Sequence, residues 1–218
     1  MLPGHIRKMS KLLNSEFPLI IMGSGGHSSV LLAVLKDANC LVASFVVENG
    51  YQGLTRFTDY PLVTEDVFEK NWKPDECRII NGVGPKPFTS RHIDIFNKWT
   101  QKGFNFMNVI HPTANILSDV LENSDIQIMA STTVQIDVIL GKSVVINTGA
   151  IVDHTCNIGN GVFIGPNATV CGNVEIRENA FIGAGAVILP DIIIGPDVII
   201  GAGFVVDHDI LQGVATNR

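Results

Sequence analysis

The sequence predicts an α/β domain followed by a parallel β-helix, and two observations carry that prediction. From Ile110 to Val206 an aliphatic residue returns at every sixth position, with Glu122 as the single interruption. Between Pro18 and Val47 an apolar run, a glycine turn, an apolar-periodic helix and a second apolar run follow one another. No helix has a period of six, whereas two inward residues on a short strand followed by a corner do repeat in this way. A second track, small or β-branched, lies four residues after each core position, as in Val144, Ala150, Cys156, Val162 and Ala168. Three such sides close a coil of eighteen residues, the hexapeptide form of the β-helix.

A chain of 218 residues has room for two modest domains. The expected division is a leader over 1–16, an α/β domain over 17–109 and the repeat over 110–218. Net charge is -6 with Lys and Arg scattered, so no basic stripe invites nucleic acid, and that class is set aside. Cys40, Cys77, Cys156 and Cys171 show no CxxC spacing, and reduced thiols are expected. The start lacks the apolar core of a signal peptide, and other apolar stretches are broken by Gly, Asn and Asp. A cytoplasmic protein without membrane insertion is therefore expected.

Taken in order, Pro18 to Met22 reads as a buried strand, Gly23-Ser24-Gly25-Gly26-His27 as a turn, and Ser28 to Lys36 as a helix. That sequence of elements opens a nucleotide-binding, Rossmann-like unit. Free backbone N–H groups at a helix N-terminus favour a phosphate. His27 either joins such a site or caps the helix. Leu41 to Val47 reads as a second strand ending at Glu48, about where such folds place an acid near a ribose. Cys77 to Asn81 reads as a third strand, followed by the glycine turn Gly82-Val83-Gly84 and a helix over Thr89 to Lys102 that carries Arg91. Glycine turns and Glu48 thus fall at three strand ends, where ligands sit in open parallel sheets. Phe104 to Val109 reads as a last short strand before the hinge Ile110-His111-Pro112.

Residues eighteen apart stand above one another in the coil, so its outer surface is read in columns. The first side stacks Val145, Phe163, Phe181 and Ile199, and the second stacks Ile151, Thr169, Val187 and Val205. The third, with Ile139, Asn157, Glu175 and Ile193, is the most polar. Two apolar outer faces on one prism predict a homotrimer that buries one face against the other. His154 falls at a corner, with Gly172 and Pro190 in the same column. A histidine that takes a proton near an exposed glycine N–H suits acyl transfer, and a histidine hydrogen-bonded at a corner is the other reading. The central coils offer one histidine, too few for a metal site built from neighbouring coils.

The strings GSGGHS, NGVGP, IHPTANI and the repeat from Asn147 to Val206 together resemble the bacterial nucleotide-sugar acetyltransferases. These act on bacillosamine precursors or GDP-perosamine, and the group includes the sialic acid O-acetyltransferases. The resemblance implies a left-handed coil, a trimer with sites between subunits, and acetyl-CoA lying along the coils with no metal. It also implies a nucleotide-linked sugar held by the N-terminal domain. On that basis His154 corresponds to the catalytic base, Gly172 to the glycine facing the thioester carbonyl, and Asp153 to a candidate orienting group. Phe163, Gly183, Ala184, Gly201 and Ala202 join Gly172 as residues expected along the cofactor. Gly23, Ser24, Gly25, Gly26, His27, Glu48, Gly82 and Arg91 are expected at the nucleotide sugar. Thr155 follows His154 where several relatives carry an acid, which leaves orientation of the ring to Asp153 or a neighbouring subunit. Phe163 stands where a second histidine is common, and the tail reads Gln212-Gly-Val-Ala215 without the family's proline. The implied activity is transfer of acetyl to the amino group of a UDP- or GDP-linked 4-amino sugar for a surface glycan. Alternatives are O-acetylation of a sugar and a catalytically silent trimeric scaffold.

Overall fold

The structure is a computed structural model, and it describes residues 17–51 and 57–215. The segment 1–16, read from sequence as a leader, lies outside them. Two compact units form: residues up to Gly84 with Asp94–Val109, and Pro85–Ile93 with residues from Ile110 onward.

The first unit is built on a parallel sheet of order β3-β2-β1-β4, with β1 Leu19–Met22, β2 Val42–Val47, β3 Leu62–Thr64 and β4 Arg78–Asn81. All of β1 is buried, as a strand covered on both faces must be, which is why its sequence is a continuous apolar run. Helix α1, Gly26–Asp37, connects β1 to β2 and turns Leu31, Leu32, Val34 and Leu35 inward. Helix α2 spans Glu65–Asn71. Neither β3 nor α2 is anticipated from sequence: β3 has three half-buried residues and α2 only two turns, too short for a periodic signal. Helix α3, Arg91–Gln101, follows β4. The chain then returns beside β4, where the Met107 N–H donates to Ile79 O at 2.8 Å. Phe68, Trp99 and Phe104 pack edge to face or tilted, with centroids 5.0 to 5.4 Å apart. Burial pushes the Cys77 thiol up to about 11.

The second unit is a coil of three parallel sheets whose strands, two residues long, pair at steps of eighteen: Val145 with Phe163, Ile151 with Thr169, Asn157 with Glu175. These sheets are those of a left-handed β-helix with hexapeptide repeats. The aliphatic track is inside throughout the central coils, and Val144, Ala150, Val162, Ala168, Ala180 and Ala186 are fully buried behind it. A third track of period six emerges at the corners. Every sixth residue from Asp125 to Gly203 has φ between 54° and 70°. Gly, Asn, Asp and Ser fill these positions, with Thr155 as the β-branched exception. This left-handed conformation is one that glycine takes freely and that Asn and Asp tolerate.

Glu122, the break in the register, falls where the first coil has no strand on its third side; Leu121 and Glu122 are both exposed. A buried polar cluster follows at once. Asp125 is fully buried, accepts from Ser143 Oγ at 2.7 Å and from Gln127 Nε2 at 3.1 Å, and has His92 Nε2 3.5 Å away. His92 belongs to the segment Pro85–Ile93, which lies against the first side of the coil. This corrects the expectation that the first side is bare. Val145 is fully buried and Phe163, Phe181 and Ile199 are half-buried, covered in part by the chain's own segment. The second side keeps Ile151 at 42% and Val205 at 55% exposure, and on the third Ile139 is 66% exposed. The coil ends on a shortened turn: Val214 pairs with Ile199, fifteen residues back instead of eighteen.

Replacing Asp125 by Ala strands the Ser143 hydroxyl in the interior and removes one acceptor of the Gln127 amide. The expected cost is about 3 kcal/mol of stability, measured as a fall in the midpoint of urea unfolding.

Candidate functional site

In the first unit, sheet order places the turns after β1 and β4 side by side, because these strands are neighbours and the chain runs from β1 to β2 on one side and to β4 on the other. A Cβ on Gly23, whose φ is 94°, would stand 2.8 Å from Val83 Cγ2. Glycine is needed there both for its conformation and for the contact between turns. Ser28 locks the pair, its hydroxyl lying 3.0 Å from Gly23 O and 2.9 Å from Gly82 O. Gly82 itself is packed against Ser28 Oγ, Ile21 and Met22.

Gly25 is the N-cap of α1 and supplies no side-chain cap; the first turn carries no acid. Gly25 and Gly26 are exposed, and a Cβ on either would meet nothing within 4 Å. The start of the helix is therefore uncapped by a side chain and open at its two glycines. His27 does not cap the helix. It lies in the first turn with its Cβ against Gly84, where an added Cβ would come within 2.9 Å. Ser24 Oγ donates to the Tyr51 hydroxyl at 3.2 Å, and Tyr51 N–H closes a turn on Glu48 O at 3.1 Å. Glu48 is exposed at the end of β2. Arg91 is exposed and falls in the other unit. Ser28 and Tyr51 escaped sequence reasoning, since a serine in an apolar helix and an aromatic in a turn carry no positional signal of their own.

In the second unit, His154 is exposed at the corner between the second and third sides. Gly172 lies close against its ring: a Cβ there would come within 2.7 Å of both Cε1 and Nε2. Glycine is required at 172 by this approach, since its φ is not left-handed. Asp153 Oδ1 accepts the His154 backbone N–H at 2.7 Å, whereas the ring Nδ1 lies 3.2 Å from Thr155 Oγ1. The side chain beside the imidazole is thus Thr155, and Asp153 holds the backbone. Burial pushes the Cys156 and Cys171 thiols up, so both are protonated neighbours of the corner.

Phe163 stacks on Phe181 with centroids 4.6 Å apart. Both line a cavity of about 580 Å³ on the first side, together with Phe88, Asn179, Asp197 and Ile199. Gly183 and Gly201 stack at the next corner, where a Cβ on Gly183 would come within 2.7 Å of Gly201 C; Ala184 and Ala202 are exposed beside them. The first side faces away from the corner that carries His154, so within one coil Phe163 and His154 do not meet. Among the described residues no group of three His, Cys, Asp or Glu side chains is placed to hold a metal ion, and no helix is long and apolar enough to cross a membrane.

Residues 155–189 and 173–208 match the family model "Bacterial transferase hexapeptide (six repeats)", which sets the class as a hexapeptide transferase. No curated protein sequence matches the chain. Solved structures do. PerB from Caulobacter crescentus, in complex with CoA and GDP-perosamine, is 30% identical with a TM-score of 0.78, over 93% of this chain and 95% of its own. A mutant perosamine N-acetyltransferase from the same organism is 29% identical with a TM-score of 0.79, over 93% and 95%. The acetyltransferase domain of PglB from Neisseria gonorrhoeae FA1090 is 29% identical with a TM-score of 0.80, over 92% and 96%. The chain belongs to the nucleotide-sugar acetyltransferase family.

Gly172→Ala should push the imidazole off its seat. The expected result is a displaced His154 ring signal in the NMR spectrum, with a melting temperature close to that of the parent protein.

Proposed function

We propose that this protein transfers the acetyl group of acetyl-CoA to the amino group of a nucleotide-linked amino sugar, with His154 as general base. The observation that carries the reading is the imidazole packed on Gly172, whose N–H has no acceptor among the described residues. In its neutral form His154 takes the amine proton on Nε2 while the amine nitrogen attacks the thioester carbonyl carbon. The carbonyl oxygen becomes an oxyanion, the Gly172 N–H donates to it, and collapse breaks the C–S bond to release the CoA thiolate. A single preorganised donor at an oxyanion is worth about a hundredfold or more in rate.

The α/β unit, over the greater part of residues 17–109, is read as Rossmann-like and as the holder of the nucleotide. In support, its glycine turns sit where the sheet order reverses, the place where such folds bind ligands. The uncapped start of α1, with Gly25 and Gly26 open to solvent, suits a diphosphate. Ser24, His27 and Glu48 border it, with Gly23 and Gly82 shaping the turns; Arg91 is assigned to the same substrate. The acetyl-CoA arm is assigned to the coil over residues 110–218, along Phe163 and the corner of Gly183, Ala184, Gly201 and Ala202. Perosamine N-acetyltransferase, bound to CoA and GDP-perosamine, supports both cosubstrates.

A homotrimer in the cytoplasm completes the proposal. Ile151, Val205 and Ile139 leave apolar surface on the second and third sides, which neighbouring copies would bury. Because the first side faces away from the corner of His154, a site that uses both needs two subunits.

Thiol release from acetyl-CoA, followed with a thiol reagent across UDP-, GDP- and CMP-linked amino sugars, should reveal turnover with at least one acceptor. No release with any of them would refute the reading. His154→Ala should lower kcat by about a hundredfold or more, and near-parent activity would remove His154 from the mechanism. Sedimentation at micromolar concentration should show a species of three chains; a monomer would overturn the assembly.

A further inference from the structure

We infer that Thr155 is the positioning residue of His154, fixing the ring through its hydroxyl at a cost in backbone strain. This rests on the proposed role of His154 as base. Thirteen residues before and after it share one corner position, from Asp125 to Gly203 in steps of six, all with φ between 54° and 70°. Gly149, Gly161, Asn167, Asn173, Asp191 and Asp197 represent the chemistry that this conformation selects. Thr155, at φ 62°, breaks the rule. A β-branched residue in the left-handed region is a genuine outlier, because its two Cβ substituents crowd the backbone. Strain of this sort persists where neighbours over-determine the conformation, and it gathers at functional sites.

Stacking supplies the over-determination. Thr155 N–H donates to Ile136 O at 3.2 Å in the coil below, and Asn173 N–H donates to His154 O at 3.0 Å from the coil above. The peptide unit that leads into the outlier is therefore held from both neighbouring coils. What the threonine gains is a hydroxyl 3.2 Å from His154 Nδ1. A base that accepts a proton at Nε2 must carry hydrogen on Nδ1, and a fixed oxygen acceptor at Nδ1 selects that tautomer. Thr155 Oγ1 takes the acceptor role in that tautomer; in the other its hydroxyl would donate to Nδ1 and leave Nε2 protonated, so the inference requires the first. Gly172, where an added Cβ would come within 2.7 Å of Cε1 and Nε2, lies close to the opposite end of the ring. The Asp153 carboxylate is occupied with the His154 backbone N–H, so it stiffens the corner from the main-chain side.

Three variants test the assignment in the full-length protein, with the acceptor of highest turnover in the thiol-release panel. Thr155→Val keeps shape and strain and removes the hydroxyl; kcat should fall about tenfold, the factor that one neutral hydrogen bond supplies, with the melting temperature nearly unchanged. Thr155→Ser restores the hydroxyl in a corner that already accepts Ser131 and Ser143, and should return kcat to within about threefold of the parent. Thr155→Asp, a residue that the corner accepts at Asp191 and Asp197, places an anion beside the ring and favours the imidazolium. The acid limb of the kcat/KM profile should then move to higher pH. Parent kcat and an unmoved pH profile in Thr155→Val and Thr155→Asp, with His154→Ala inactive, would overturn this inference and leave His154 as base. Full activity in His154→Ala would overturn both.

Discussion

A left-handed backbone turn at every sixth residue is the constraint from which the coil follows. L-residues resist that conformation, so each corner except that of Thr155 is assigned to Gly, Asn, Asp or Ser, and the chain between corners is left only two strand residues and their flanks. Carbonyls at one corner receive N–H groups from the next coil, as with Asn167 N to Thr148 O at 2.9 Å. The corners thereby stack, and the aliphatic track inside inherits their period. Shifting one corner by a residue would turn every inward side chain beyond it outward.

This regularity makes position along the chain equivalent to an address in space. Any residue has its spatial neighbour eighteen positions away, which is how an imidazole at 154 comes to rest on a glycine at 172 without a loop to carry either. Sites on rigid elements hold their geometry better than sites on long loops. The α/β unit achieves comparable rigidity by other means: two glycine turns in contact, tied by one serine hydroxyl.

Much of this was legible in the sequence, because period six is enforced by packing and survives without any knowledge of partners. The aliphatic core, the columns and the apposition of His154 with Gly172 all follow from counting. The third track, at the corners, is as regular as the core and equally readable, but its residues are chemically mixed and so hide in a hydropathy pattern. Glu122 becomes intelligible once Leu121 and Glu122 are seen outside any strand, followed by a buried carboxyl at Asp125. What counting cannot deliver is how a segment outside the repeat folds onto it. Pro85–Ile93 lies beside Phe163, Phe181 and Ile199 through side-chain packing that has no period, so one face that reads as bare is partly clothed. The contact of Thr155 with the His154 ring was likewise out of reach, since it depends on the direction of one short side chain at a strained corner.

An unfinished β-helix exposes a fresh row of backbone donors and acceptors at each end, and copies of such a coil would add to one another without limit. Both ends of this one depart from the repeat. The first coil loses a strand at Leu121–Glu122 and buries Asp125 beneath the gap, and the final turn is three residues short before Val214 pairs back onto Ile199. The irregularities that spoil the six-residue rhythm therefore leave neither end with a full repeat for the strands of another copy to continue.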